Sequence, residues 1–187
     1  GGDGYAVAVY PVSYQGALYV TKCTNSTCSA YTTTMLLASG AGTPSIAIND
    51  DGYPLIAFQN TTSDYLLVTE CWDHACTTGE TTYNHSMYTS EAEDSVIVTS
   101  SPPKIAYTKS DGTQYVVINC ENDLCSTFNR EVHAPSHVYN TVYDIAIGSD
   151  GLPVVVGSWM DYPDVQNVYL TKCTDEDCDD PETESEY

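Results

Sequence analysis

The chain has 187 residues with 26 acidic and 5 basic side chains, so its formal net charge is −21. Such a charge repels nucleic acid and anionic membrane surfaces, which excludes both as expected partners. The length suffices for one well-buried domain or two small ones, and no apolar run approaches the length of a membrane span.

The composition favours β-strands. The chain has 16 tyrosines but only 2 phenylalanines, and Tyr, Thr and Val together suit half-buried sheet faces. No stretch shows sustained helical periodicity. We therefore predict an all-β protein.

The cysteines mark a repeat along the chain. All eight fall into C-x4-C pairs, and the first cysteines of successive pairs lie 48, 49 and 53 residues apart. A nearly constant period of this size is typical of a repeat architecture. The pairs are Cys23/Cys28, Cys71/Cys76, Cys120/Cys125 and Cys173/Cys178.

The repeats predict the same succession of strands, which we name a, b, c and d. Strands a and b, joined by a tight turn, occur in residues 45–60, 95–110 and 144–159. Strand c ends at the first cysteine of each pair, as in ALYVTKC and YLLVTEC, and a Thr/Tyr-rich strand d follows the second cysteine of the first three pairs. Four-stranded antiparallel meanders at this period are the blades of a β-propeller, in which strand a should be innermost.

Several segments resemble the repeats of secreted β-propeller proteins: PSIAINDDGYPLIAF and DIAIGSDGLPVVV, followed by LLVTEC or VYLTKC. The resemblance covers roughly residues 5–178. It implies a β-propeller-like array of four antiparallel four-stranded repeats, but no particular function, since propellers serve many. The third repeat departs from the pattern, because its a–b turn reads SSPPK and its Asp111-Gly112 lies in the b–c turn.

The repeats predict a single domain over residues 1–178, divided at about 1–43, 44–93, 94–142 and 143–178, with an acidic tail over 179–187. The first repeat lacks strand a, and the last lacks strand d unless the tail replaces it, so both terminal repeats are expected to be incomplete. The expected strand counts are three, four, four and three. A strand of a neighbouring molecule would fill such gaps, because an unpaired sheet edge is a template for another chain. A trimmed longer protein, or two three-stranded blades, are the alternatives.

Three roles are open to the cysteine pairs. Zinc sites use tighter spacing and place their pairs close together, whereas one pair in each blade would be spread around a ring. Redox pairs are C-x-x-C motifs at a helix start. Disulfides within each pair fit best, since two residues that flank a four-residue loop face each other across a hairpin, although eight cysteines allow other pairings. We predict four local disulfides, no metal ligand and no free thiol.

Three N-x-S/T sequons begin at Asn25, Asn60 and Asn84. The first lies inside a cystine loop, the second in the b–c turn of the second repeat, and the third in its outer strand. Each is weak evidence alone, because chance matches are common. Together with the paired cysteines and the acidity, they indicate a secreted, extracellular glycoprotein.

No catalytic constellation stands out in the sequence. Sialidase-like glycosidases, which the propeller resemblance brings into consideration, hold a carboxylate with an arginine cluster, but this chain has only Arg130. His133 and His137 flank Pro135, which argues against one helix presenting both, so surface histidines explain them better than a metal site. The acids that precede glycines suit turns: Asp3, Asp51, Asp111 and Asp150. We expect no enzyme and no cofactor.

Two features of the sequence are candidate binding surfaces. The acids between Asp175 and Asp180 could hold calcium weakly, but they lack the glycine-punctuated spacing of a calcium loop, and a flexible polyanionic tail explains them better. Trp72 lies at the tip of the second cystine hairpin. It would contact a glycan or a protein there unless it folds back onto its own blade; together with Trp159 and the tyrosines it could also form a sugar-stacking surface.

These observations favour a non-enzymatic extracellular structural or adhesive glycoprotein. Its expected partner is itself, in an oligomer or filament built by strand complementation between protomers. A carbohydrate-binding, lectin-like propeller is the alternative, and a glycoside hydrolase is the third hypothesis. Assembly and lectin function both need exposed aromatics on a rigid scaffold, so the sequence does not separate them.

Overall fold

The computed structural model describes residues 1–12, 16–63, 65–88, 92–98, 102–109, 114–133, 138–161, 165–175, 178 and 182–185. Every regular element in these residues is a β-strand, which confirms the all-β prediction. The strands form four antiparallel sheets, one for each repeat, and within each sheet they follow chain order.

The first two sheets belong to the first two repeats. The first has three strands: β1 (Val7–Val12), β2 (Ala17–Cys23) and β3 (Tyr31–Leu37). The second has four strands: β4 (Ala41–Ile48), β5 (Pro54–Asn60), β6 (Tyr65–Cys71) and β7 (Gly79–Tyr88). By its position in the repeat, β1 is a strand b, and no described strand lies beside it on its inner side.

The third and fourth sheets each have four strands. The third contains β8 (Ala92–Val98), β9 (Lys104–Lys109), β10 (Tyr115–Cys120) and β11 (Phe128–His133). The fourth contains β12 (Val138–Ile147), β13 (Pro153–Asp161), β14 (Val165–Lys172) and β15 (Glu182–Ser185).

The expected count of three strands in the last repeat is wrong, and the alternative in which the acidic tail replaces strand d is confirmed. Four residues of the acidic segment form β15, which pairs with β14 in a register that runs from Tyr169 opposite Ser185 to Lys172 opposite Glu182. The outer edge of β14 offers unpaired backbone groups, and pairing satisfies them. The described sheets therefore have three, four, four and four strands.

Contacts between sheets run from each sheet to the next along the chain. On the inner side, β1 contacts β4, β4 contacts β8 and β8 contacts β12, so the a strands line one side of the array as expected. Among the described strands, no contact of similar extent joins the fourth sheet to the first.

Three apolar layers, one between each pair of neighbouring sheets, make up the core. The first layer packs Leu18 and Val20 against Phe58 and Leu67. The second layer lies between the second and third sheets, and the third between the third and fourth. Each central sheet is therefore apolar on both faces, as expected for a strand buried on two sides.

The two faces of each sheet follow a rule that can be counted from the cysteines. We call the face turned toward the next sheet the forward face and the opposite one the backward face. On strand c, residues five and three positions before the first cysteine lie forward, as Leu66 and Val68 do. The residue four positions before it lies backward, as Leu67 does. The period of two along a strand makes this rule hold in every repeat.

Side-chain sizes compensate across strands b and c on the backward face of the fourth sheet. Phe58 lies opposite Leu67 in the second sheet, whereas Gly157 lies opposite Tyr169 in the fourth. A Cβ atom at Gly157 would collide with the Tyr169 hydroxyl and the Thr141 carbonyl oxygen. Glycine therefore makes room for a large ring on the neighbouring strand.

We expect Gly157→Ala to lower the free energy of unfolding by about 1–3 kcal/mol, because the added methyl group overpacks this layer. Chemical unfolding followed by fluorescence measures the change. The double variant Gly157→Ala/Tyr169→Leu should recover part of the loss, since it removes one of the two collisions. A single variant as stable as the wild type would contradict the size compensation.

Candidate functional site

The four predicted disulfides all form, with Cα–Cα distances of 4.7–4.8 Å. No cysteine among the described residues is free. The four disulfides share one spacing and nearly one Cα–Cα distance, so differences in function between the loops are expected from the residues at their tips. The bonds are Cys23–Cys28, Cys71–Cys76, Cys120–Cys125 and Cys173–Cys178.

The expectation that the two cysteines of a pair face each other across the hairpin is wrong. The first cysteine lies opposite a residue beyond the loop, as Cys23 lies opposite Tyr31. The second cysteine lies inside the loop and has a left-handed backbone, with a φ of 52° to 63°, in every copy: Cys28, Cys76, Cys125 and Cys178.

A backbone turn places the second cysteine inside its loop. In the first three loops its N–H donates to the carbonyl oxygen of the residue three positions earlier, at 2.9–3.2 Å. The donors are Cys28, Cys76 and Cys125. Each of these disulfides therefore closes a turn rather than joining two facing strand ends, and Cys178 has the same backbone conformation in the fourth loop.

One further loop position is restricted. An Asn or Asp stands two residues after each first cysteine: Asn25, Asp73, Asn122 and Asp175. In the first three loops its side-chain oxygen accepts the backbone N–H of the residue after the second cysteine, at 3.0–3.1 Å. This bond satisfies a donor that the turn leaves unpaired. Sequence reasoning missed the role, although the signal, Asn or Asp at one fixed position among variable neighbours, is present.

Asp73 forms the fullest network of this kind. Its carboxylate accepts the hydroxyl and backbone N–H groups of Thr77 and Thr78 at 2.7–3.1 Å, and the Ala75 N–H at 2.8 Å. Partial burial disfavours the charged form, but the hydrogen bonds from both threonines outweigh it and hold the pKa of the Asp73 carboxyl well below its ordinary value. The ionised carboxylate therefore stabilises the loop.

We expect Asp73→Ala to lower the free energy of unfolding by about 1–2 kcal/mol at pH 7, because the loop donors lose their acceptor. Asp73→Asn is the matched control, since Asn fills this position in two other loops, and it should keep most of the stability. Urea unfolding of the three proteins measures the difference. Equal stability of Asp73→Ala and the wild type would contradict the role.

The lowered pKa adds a dependence on pH to the same comparison. The stabilisation from the charge of Asp73 is complete above the ordinary value of 3.8 and is lost as the pH falls from there toward the folded-state pKa. The advantage of the wild type over Asp73→Asn should therefore shrink between about pH 5 and about pH 2.

The three sequon asparagines lie in different settings. The Asn25 side chain donates to Ser29 Oγ at 3.0 Å, so it has a structural role whether or not it carries a sugar. The Asn60 side-chain oxygen accepts the Thr62 N–H at 3.0 Å in a turn after β5. Asn84 belongs to β7, as predicted for an outer strand. Glycosylation stays a prediction at all three.

Two of the turn acids have the predicted turn role: Asp3 Oδ1 accepts the Tyr5 N–H at 3.1 Å, and Asp150 Oδ1 accepts the Leu152 N–H at 3.2 Å. Asp3 pairs with Lys22 at 2.8 Å and Asp150 pairs with Lys172 at 2.5 Å. In each case the lysine is the main reason that the pKa of the carboxyl is lowered. Asp111 lies outside the described residues.

The other candidate residues are spread over the array. Arg130 is exposed on β11, and His133, on the same strand, stacks on Tyr115 with ring centroids 4.9 Å apart. Burial lowers the pKa of His133. His137 and the acids 176, 177, 179 and 180 lie outside the described residues. In the rest of the chain, no group of three His, Cys, Asp or Glu side chains is arranged to hold a metal ion.

The two tryptophans have opposite environments. Trp159 is buried between the third and fourth sheets and stacks on Tyr169 at 5.7 Å. Trp72 is 55% exposed at its loop tip, where its side chain also donates a hydrogen bond to Glu70 of β6. Of the two tryptophans, Trp72 is the one placed to contact a partner.

The forward face of the fourth sheet is an apolar surface without a neighbour in the described chain. Val168 and Leu170 occupy the forward positions of its strand c and are 47% and 45% exposed. The six residues at the same positions in the other sheets are at most 2% exposed: Leu18, Val20, Leu66, Val68, Tyr115 and Val117. The fourth sheet therefore presents a core-type surface to solvent.

The backward face of the first sheet is the matching surface at the other end of the array. Tyr10 is 40% exposed, whereas Phe58 and Tyr107 at the same position are buried. Tyr19 stacks on Tyr10 at 6.0 Å, and Met35 lies opposite Tyr19 and is 55% exposed. The sequence signal for both end faces is a strand c that is apolar on two sides in the first and last repeats, as in the central ones.

Comparison with protein-family models and with curated proteins finds no match to this chain. Within the described residues, no helix has the length and apolar character needed to cross a membrane, since their regular structure consists of strands. The proposed function therefore rests on the geometry of the array and its end faces.

Proposed function

We propose that this chain is a non-enzymatic extracellular structural protein whose four repeats form a propeller-like array that associates with copies of itself. One observation carries the proposal: both ends of the array expose sheet faces whose counterparts are buried in the interior. Exposed apolar faces of this kind mark protein–protein contacts. The inner edge of β1, beside which no described strand lies, offers a second route, the strand complementation expected from the sequence.

The polar residues support a structural role. Asp3, Asp73 and Asp150 hold turns and loops through hydrogen bonds and ion pairs. His133 is stacked on an aromatic ring. Residues that serve the scaffold in this way are poorly placed for acid–base chemistry, which needs groups directed at a substrate.

The disulfides support an extracellular location, because such bonds persist in oxidising compartments. We expect the protein, when secreted from a eukaryotic host, to carry a glycan on Asn25, and Thr27→Ala to lose one glycan mass. Asn25→Asp should lose the same mass and keep the loop, since Asp fills this position in the second repeat. Mass spectrometry after glycosidase treatment reads the result, and an unmodified Asn25 in the wild type would contradict it.

The association should depend on salt. The net charge of −21 makes copies repel one another, and salt shortens the range of that repulsion. We expect the weight-average mass in analytical ultracentrifugation to rise with protein concentration, and to rise further between about 0.05 M and about 0.5 M NaCl. A monomer under all these conditions would contradict self-association.

A carbohydrate-binding function is the second candidate, favoured by the exposed Trp72. An aromatic ring at a rigid loop tip could stack on a sugar. A glycan array on which wild type and Trp72→Ser give the same signal would remove this candidate.

A further inference from the structure

We propose that the forward face of the fourth sheet packs against the backward face of the first sheet of another copy, so that the chains join head to tail. This inference rests on the proposed self-association and specifies which surfaces meet. It replaces strand complementation at β1 as the main contact.

The interfaces inside the array show which residues of neighbouring sheets pack against each other. The same repeat positions meet at all three interfaces: the residues five and three positions before one first cysteine share a cluster with the residue four positions before the next first cysteine. The free ends are one forward and one backward face. A contact between the ends of two copies would therefore repeat an arrangement that the chain already forms three times.

The forward face of the fourth sheet has the chemistry of an interior forward face. Val168 and Leu170 are branched aliphatic residues like Leu18 and Val20 of the first sheet. Val154 and Val156 continue the surface on strand b and are only partly buried, whereas Leu55 at the position of Val154 is buried. Lys172, at the margin of the surface, is already paired with Asp150.

The polar groups on the backward face of the first sheet already have hydrogen-bond partners. Tyr10, Thr21 and Thr33 form a chain of hydroxyl hydrogen bonds, at 3.1 and 2.9 Å. The second sheet repeats the threonine pair on its backward face, where Thr69 and Thr81 are bonded at 2.9 Å and Thr69 is buried. Polar groups that already bond one another can be covered at little cost.

Charge is distributed differently on the two end faces. The described strands of the first sheet place no charged residue on its backward face, in a chain whose net charge is −21. On the forward face of the fourth sheet, the register places Asp144 opposite Val156 and Glu184 opposite Leu170, and the exposed Lys172 lies at the margin. The uncharged backward face can therefore meet this face without opposing like charges, which are unfavourable at short range.

Head-to-tail contact has a consequence for the assembly. The two joined surfaces differ, so each added copy leaves a new free face of each kind. Growth then continues into an open chain unless the rotation between copies closes a ring. A symmetric dimer is not expected from this contact.

Two variants test the pairing of the faces. Leu170→Asp blocks the forward end and Tyr19→Asp blocks the backward end, and each should raise the dissociation constant about a hundredfold or more, because an unpaired carboxylate would be buried. Leu170 is exposed and Tyr19 is half-buried in the single chain, so the unfolding midpoint of each variant is measured beside that of the wild type to separate blocked assembly from a loss of folding. Trp72→Ser, which changes an exposed aromatic away from both ends, is the control and should assemble like the wild type.

Mixing the two variants gives the decisive result. Each retains one intact end, so an equimolar mixture should form dimers of one copy of each variant and nothing larger. If the mixture stays monomeric while the wild type assembles, the pairing of these faces is wrong and the proposed self-association stands by another route. If both single variants assemble like the wild type, the contact lies elsewhere, with strand addition at β1 the first candidate. If the wild type does not assemble, the proposed function itself fails.

Discussion

Packing between the faces of neighbouring sheets is the interaction on which this structure depends. No sheet covers its own apolar residues, so each of the two central sheets buries one face against the sheet before it and the other against the sheet after it. The chain is thus a linear series of interfaces, in which stability is expected to be a sum of sheets and contacts between neighbours. Such a series leaves a face without a partner at each end, which is the basis of the functional proposal.

The cystine loops stabilise local chain reversals, independently of the packing between sheets. Each loop reverses the chain between strands c and d with a cysteine in a left-handed conformation that ordinary residues adopt at a cost. The disulfide and the Asn or Asp two residues after the first cysteine hold that conformation. Because these groups define the turn, the remaining tip residues are free to differ, from the sequon at Asn25 to the exposed Trp72.

Much of the fold could be predicted from the sequence. The C-x4-C pairs mark the end of every strand c, and the strand period of two assigns the residues of that strand to the two faces of its sheet. The pairing within each disulfide could be predicted from spacing alone. The left-handed backbone of the second cysteine could not be predicted, because the spacing of the cysteines does not determine a backbone conformation. It was missed at all four positions: Cys28, Cys76, Cys125 and Cys178.

Two further features could not be decided from the sequence, because they depend on neighbouring strands and sheets. The acidic composition of β15 suggests a solvated tail, and only the free edge of β14 makes it a strand. The exposure of Leu170 depends on which neighbours its sheet has, and its residue type resembles that of a buried position.

The central claim is that the end faces of two copies repeat the interior contact. Hydroxyl-radical footprinting at increasing protein concentration tests it directly, because tyrosine, methionine and tryptophan side chains report their own solvent exposure. The account predicts that oxidation of Tyr10, Tyr19 and Met35 falls as the protein assembles while that of Trp72, exposed on a loop away from both ends, stays constant. Assembly without protection of these three residues, or protection of Trp72 in their place, would contradict it.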